Sequence, residues 1–140
     1  MQRLIEHHDD SNHAAGKNEF CFRWQNKNVF IKSKRPLLSA QNEHYLVTID
    51  GELRKYSQET YFTVNGAQLL LEMLEQAPSR YYSEIAGFFG AIIVDKLHNT
   101  ISLLTDHIGS CPLYYHIDRE NLLITSSLSL LDCGRFHINP

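Results

Sequence analysis

The sequence predicts an α+β fold, with sheets stacked and helices on the outside. Two observations carry this. Apolar and polar residues alternate with the period of a strand in several segments, and only one stretch has the period of a helix. The elements also run strands, helix, strands, helix, which suits layered sheets better than alternating βαβ units.

Phe20, Phe22 and Trp24 alternate with Cys21 and Arg23, as in a half-buried strand. Residues 29–31 should pair with it as a hairpin across a turn at 25–28. Residues 45–49 form a third strand, and the turn dipeptide Asp50-Gly51 is expected to stop it. The helix is placed at 66–76, where Leu70, Met73, Leu74 and Ala77 make one apolar face. Asn65 is its N-cap, and Pro78 prevents its continuation. A shorter helical piece is expected at 80–85. Residues 88–94 are almost continuously apolar, as in a strand covered on both faces. A turn at 97–99 leads into a strand at 100–104. Strands at 113–117 and 122–125, joined by a turn at 118–120, are expected to complete a meander. A short helix begins at 127, capped by Ser126 or Ser127.

A chain of 140 residues suits one domain. Its formal charge of −3 supplies no field that would attract nucleic acid or an anionic membrane. Cys21, Cys111 and Cys133 are odd in number and lack CxxC spacing, which argues against a disulfide framework and for a reducing compartment. No apolar run has the length of a membrane span, and the start lacks the apolar stretch of a signal peptide. A cytoplasmic protein is expected. Residues 1–18 read as a mobile polar tail, 19–135 as the domain, and 136–140 as a lead-in to a following domain or the C-terminal end. His7, His8 and His13 in the tail have no second cluster to complete a metal site, so no metal is expected.

Two segments carry a family resemblance. The first is Ile85-Ala86-Gly87-Phe88-Phe89-Gly90-Ala91-Ile92-Ile93-Val94-Asp95. The second is Leu104-Thr105-Asp106-His107-Ile108-Gly109-Ser110-Cys111-Pro112-Leu113-Tyr114-Tyr115. Together they resemble the L-x-G-x-F-A-hydrophobic-D and R-D-x-x-G-x-x-P-L-Y-Y elements of class II glutamine amidotransferases of the asparagine synthetase type. Upstream, Asp50-Gly51-Glu52 with the residues around it resembles the family's N-G-E-I-x-N-Y. Downstream, Thr125-Ser126-Ser127 stands where the family has A-S-E. These elements keep the family's order over residues 43–132. The resemblance implies an Ntn-hydrolase-like αββα sandwich, two mostly antiparallel sheets with flanking helices, here shortened. Within it Gly87, Phe89, Asp95, Asp106, Gly109, Pro112, Leu113, Tyr114 and Tyr115 are expected to specify the fold, not to perform chemistry. Tyr114 and Tyr115 should point to opposite faces.

The family's chemistry is expected to be missing. Its nucleophile is an N-terminal cysteine whose own α-amine acts as base. This chain begins Met1-Gln2-Arg3. Cys21 is the cysteine nearest the first strand, and cleavage before it, as in relatives that remove a propeptide, would expose it. It is followed by Phe22-Arg23 instead of Gly-Ile, and the simpler expectation is a cysteine packed in the core. Arg35 is the candidate remnant of the segment that holds the substrate carboxylate. The family's N-G-E asparagine and glycine bind the developing oxyanion, and here Asp50 replaces the asparagine, with Gly51 and Glu52 retained. The S-D-T-E motif, whose aspartate holds the substrate's amino group, corresponds to Asn65-Gly66-Ala67-Gln68, without a carboxylate.

The resulting expectation is a glutamine amidotransferase-like domain of an asparagine-synthetase-like, ATP-dependent amide-forming enzyme. It would lack glutaminase activity and serve as a scaffold, as in β-lactam synthetases and lasso-peptide cyclases. Its partner would be a synthetase domain in cis or in trans. No cofactor is expected in this chain, with ATP and magnesium belonging to any synthetase domain that follows. A homo-oligomer stays open. The alternatives are an active glutaminase exposed by processing at Cys21, and a free-standing Ntn-fold binding module.

Overall fold

The computed structural model describes residues 17–55 and 65–130. These fall into two compact units, one built from residues before 37 and after 112, the other from Leu37–Pro112.

The first unit holds β1 (Lys17–Trp24), the first part of β2 (Lys27–Gln41), and two later strands, β6 (Tyr114–Ile117) and β7 (Asn121–Thr125). β1 pairs with β2 as expected, and β1 begins at Lys17, inside the stretch expected to be tail. The turn between them is tight, with Gln25 at φ 53°. β6 and β7 form an antiparallel hairpin, and β7 lies parallel to β2 in the register Asn28↔Asn121 to Lys32↔Thr125. A 3-10 turn, Leu128–Leu130, stands where a short helix was expected. The expected meander is therefore not formed. β6 pairs with β7, while the preceding strand β5 pairs with β4 in the other unit's sheet.

The second unit's sheet runs from the end of β2 through β3 (Tyr45–Lys55) and β4 (Ile85–Asp95) to β5 (Thr100–Thr105), all antiparallel. Helix α1 (Gly66–Gln76) packs on one face of this sheet. Ala67, Leu69, Leu70, Met73 and Leu74 meet Val47, Ile49 and Leu53 of β3 and Phe89, Ala91 and Ile93 of β4. Leu70 is fully buried, and burial of one such side chain stabilises by about 1.5–3 kcal/mol. The helical piece expected at 80–85 is a 3-10 turn, Tyr81–Ser83.

β3 does not stop at Asp50-Gly51. It runs on to Lys55 because β4 pairs with it along its whole length, from Tyr45↔Asp95 to Lys55↔Ile85. The described elements are thus mostly strand, with one α-helix among them, a composition compatible with a shortened Ntn-hydrolase-like sandwich.

Candidate functional site

Strand β3 carries Asp50-Gly51-Glu52 through the middle of the second unit's sheet, opposite Gly90, Phe89 and Phe88 of β4. Side chains alternate along a strand, and Val47 and Ile49 face α1. Thr48 and Asp50 consequently share the opposite face with Leu46, and Ile92 and Val94 lie beside them on β4. All five are buried, Asp50 at 6% exposure and Thr48 at 1%. Thr48 Oγ1 has no hydrogen-bond partner among the described residues. Glu52 is exposed.

Gly51 has φ +97°, and a Cβ there would lie 2.1 Å from the Phe88 carbonyl oxygen and 3.0 Å from Cys111 Sγ. Gly87, at φ +128°, meets the same limit from the other strand, 2.2 Å from the Glu52 carbonyl oxygen. The two glycines let β3 and β4 approach closely on either side of Glu52 and Phe88. The loop after β5 fastens this point. Asp106 accepts the Phe89 N–H at 2.9 Å, its own N–H donates to the Phe89 carbonyl at 3.1 Å, and Cys111 Sγ donates to the Phe88 carbonyl at 3.6 Å. Asp106 also accepts the Ser110 hydroxyl and the Ile108 and Ser110 N–H groups. The Ser110 hydroxyl first, then the Phe89 N–H, hold the Asp106 carboxyl down to about 2 against the cost of its desolvation. Asp106 and His107 lie in this turn, beyond the end of β5.

At the start of α1, Asn65 Oδ1 accepts the N–H of Ala67 at 3.0 Å and of Gln68 at 3.4 Å. Gly66 is pressed onto β3. A Cβ there would lie 3.2 Å from both the Cβ and the carbonyl oxygen of Leu53. The position read from the sequence as the S-D-T-E aspartate is therefore packed against a paired strand.

The remaining sequence-predicted residues are dispersed. Asp95 closes β4 and accepts the N–H groups of Leu97 and His98, with His98 Nδ1 at 2.8 Å from its other oxygen. Gly109, at φ +65°, is in the Asp106 turn with nothing within 4 Å of a Cβ. Pro112 is exposed, and Leu113 is half-buried just ahead of β6. Tyr114 is half-buried while Tyr115 is 65% exposed, so the two do face opposite ways. Cys21 lies in β1 and is exposed, not packed in the core as expected of a free cysteine. Arg35 is exposed in β2, its N–H donating to Ser33 Oγ at 3.3 Å. Cys133, His137, and the tail but for Lys17 and Asn18 lie outside the described residues.

Sequence reasoning did not pick out Thr48, Ser110 or Cys111. Ser110 had a signal available, since a serine four residues after an aspartate suits a closed turn. Thr48 had none.

The family model of the glutamine amidotransferase domain matches residues 27–133. The chain belongs to that family. It is 23% identical over 130 residues to asparagine synthetase [glutamine-hydrolyzing] 2 of Bacillus subtilis (strain 168), covering 88% of this chain and 17% of that protein. The amidotransferase domain thus spans less than a fifth of that relative's length and is related to asparagine synthetase. No solved structure matches. Among the described residues no helix is long and apolar enough to cross a membrane.

Proposed function

We propose that this is the glutamine amidotransferase-like domain of an asparagine-synthetase-like amide-forming enzyme, one that does not hydrolyse glutamine. The observation that carries the reading is Asp50. A developing oxyanion requires hydrogen-bond donors, and a carboxylate offers only acceptors. Asp50, read from the motif as standing at the family's donor asparagine, is buried. Gly66 adds to this, because a substrate ammonium finds no carboxylate there and Leu53 leaves little room for one.

The domain would act as a scaffold for a synthetase domain, in cis or in trans, in the cytoplasm. ATP and magnesium would belong to that partner. The test is ammonia release from glutamine by the purified chain, for which none above background is expected. A second reading, a glutaminase using Cys21 after processing, is favoured by the exposure of that thiol. Ammonia release that Cys21→Ala abolishes would replace the first reading with the second.

A further inference from the structure

We propose that two copies of this chain pair through a patch on the second unit's sheet, on the face turned away from α1. Glu52 and Arg54 of β3 and Ala86 and Phe88 of β4 build it. Val47, Ile49 and Leu53 of β3, and Ile85, Phe89, Ala91 and Ile93 of β4, pack with α1, so the even-numbered residues between them face the other way. Glu52 lies directly across from Phe88, and Arg54 from Ala86. Thr48, Asp50, Ile92 and Val94 are buried further along this face, but here Glu52 and Arg54 are exposed and Phe88 is 60% exposed. Ile108, 77% exposed, lies in the turn that Asp106 binds to the next residue, Phe89. Neither Glu52 nor Arg54 has an ion pair among the described residues, whereas Lys55 beside them is paired with Glu84.

The order of charge and size within the patch names the occupant. The four residues make a rectangle about 5 Å across the strands and about 6.7 Å along them. A two-fold axis in the plane of the face, crossing the strands at the level of Leu53 and Gly87, lays a second copy on the first. That operation sets Glu52 against Arg54 of the other copy, and Arg54 against its Glu52. It also sets Phe88 over Ala86 of the other copy, where a lone methyl group leaves space for a ring. The patch is thus complementary to itself in charge and in shape, as an isologous interface must be. Moving the axis to the level of Glu52 or of Arg54 would set like charges together. The two rings supply most of the attraction, since exposed ion pairs contribute little. The charges fix the register and reject other orientations.

The test is sedimentation equilibrium of the full chain at low salt over a range of concentrations. A dimer in reversible exchange with monomer is expected. Phe88→Ser should weaken it about tenfold or more, because each substitution enters the interface twice. Glu52→Arg leaves the patch with positive charge alone, and Arg54→Glu leaves it with negative charge alone. Each of these variants should stay monomeric at concentrations where the unaltered chain dimerises. Mixed in equal amounts, the two should form a heterodimer, and the double variant Glu52→Arg, Arg54→Glu should again pair with itself. Should Phe88→Ser fail to fold, the charge variants at exposed positions decide. A chain that is monomeric throughout overturns the proposal and leaves the patch to a different partner, such as a synthetase domain. A dimer indifferent to the charge variants also overturns it, by placing the contact on another face. So does a pair of single variants that fails to associate on mixing.

Discussion

Cys111 Sγ lies 3.0 Å from the point where a Cβ on Gly51 would sit, and the Phe88 carbonyl oxygen lies nearer still, at 2.1 Å. The two obstacles differ in kind. A thiol can swing away, but the Phe88 carbonyl is backbone of β4, held there by pairing with β3 and by the bonds of the next residue, Phe89, to Asp106. Gly51→Ala should therefore destabilise the domain by about 3 kcal/mol or more, through positive φ and a backbone collision together. Adding Cys111→Ala should not restore it. Urea unfolding of the single and double variants checks this, and recovery in the double variant would place the obstruction at the thiol instead.

Asp106 makes the acid limb of stability predictable. Its carboxyl is held down to about 2, chiefly by the Ser110 hydroxyl, from an unfolded value near 3.8. A folded pKa below the unfolded one gives stability that is full above the unfolded value and lost as pH falls through the folded one. The loss should thus run from about pH 4 down to about pH 2. Asp106→Asn should flatten that part of the profile, with Ser110→Ala doing so in part. Unfolding midpoints measured across this range would show it, and an unchanged slope in Asp106→Asn would refute the assignment.

How far the fold is legible in sequence depends on how local each determinant is. Helix α1 and its Asn65 cap follow from residues within a few positions of one another, and both stand where the periodicity puts them. Asp50-Gly51 has the local chemistry of a turn, and Gly51 does take a positive φ. Pairing with β4 then carries the strand through it, and that pairing depends on residues 35 or more positions away for most of its length. The parallel contact of β2 with β7 joins Asn28 to Asn121 and leaves no local trace. At the site, the reading that Asp50 replaces the family's asparagine comes from the motif alone. The burial of that carboxylate beside an unpartnered Thr48 hydroxyl is not, because a threonine in an alternating strand looks the same whether or not it is covered.

Thr48→Val should stabilise the domain. The hydroxyl is buried without a partner among the described residues, a condition that costs about 1–3 kcal/mol, and valine keeps nearly the same shape. A gain of about 1 kcal/mol in chemical denaturation is the expected outcome. Destabilisation would mean that the hydroxyl is satisfied in solution.

If Gly66 does stand where the family's aspartate holds the substrate's amine, as the motif suggests, Gly66→Asp tests whether that position can be rebuilt by one change. An acidic residue in the first turn of a helix is worth about 0.3–1 kcal/mol, so Gly66→Asp has a favourable electrostatic term. Against it stands Leu53, whose Cβ and carbonyl oxygen lie 3.2 Å from a Cβ at this position and whose backbone nitrogen lies 3.4 Å away. Leu53 is buried and paired with Gly87, and neither strand can give way without disturbing the close approach at Gly87. Packing should win, and Gly66→Asp should lower stability by about 1–3 kcal/mol, the usual cost of overpacking. Asn65→Ala, which removes the cap without crowding β3, should cost only about 1 kcal/mol. If Gly66→Asp proves neutral or stabilising in thermal and urea unfolding, the helix start has room to move off β3. The lost carboxylate would then be no steric consequence of the fold.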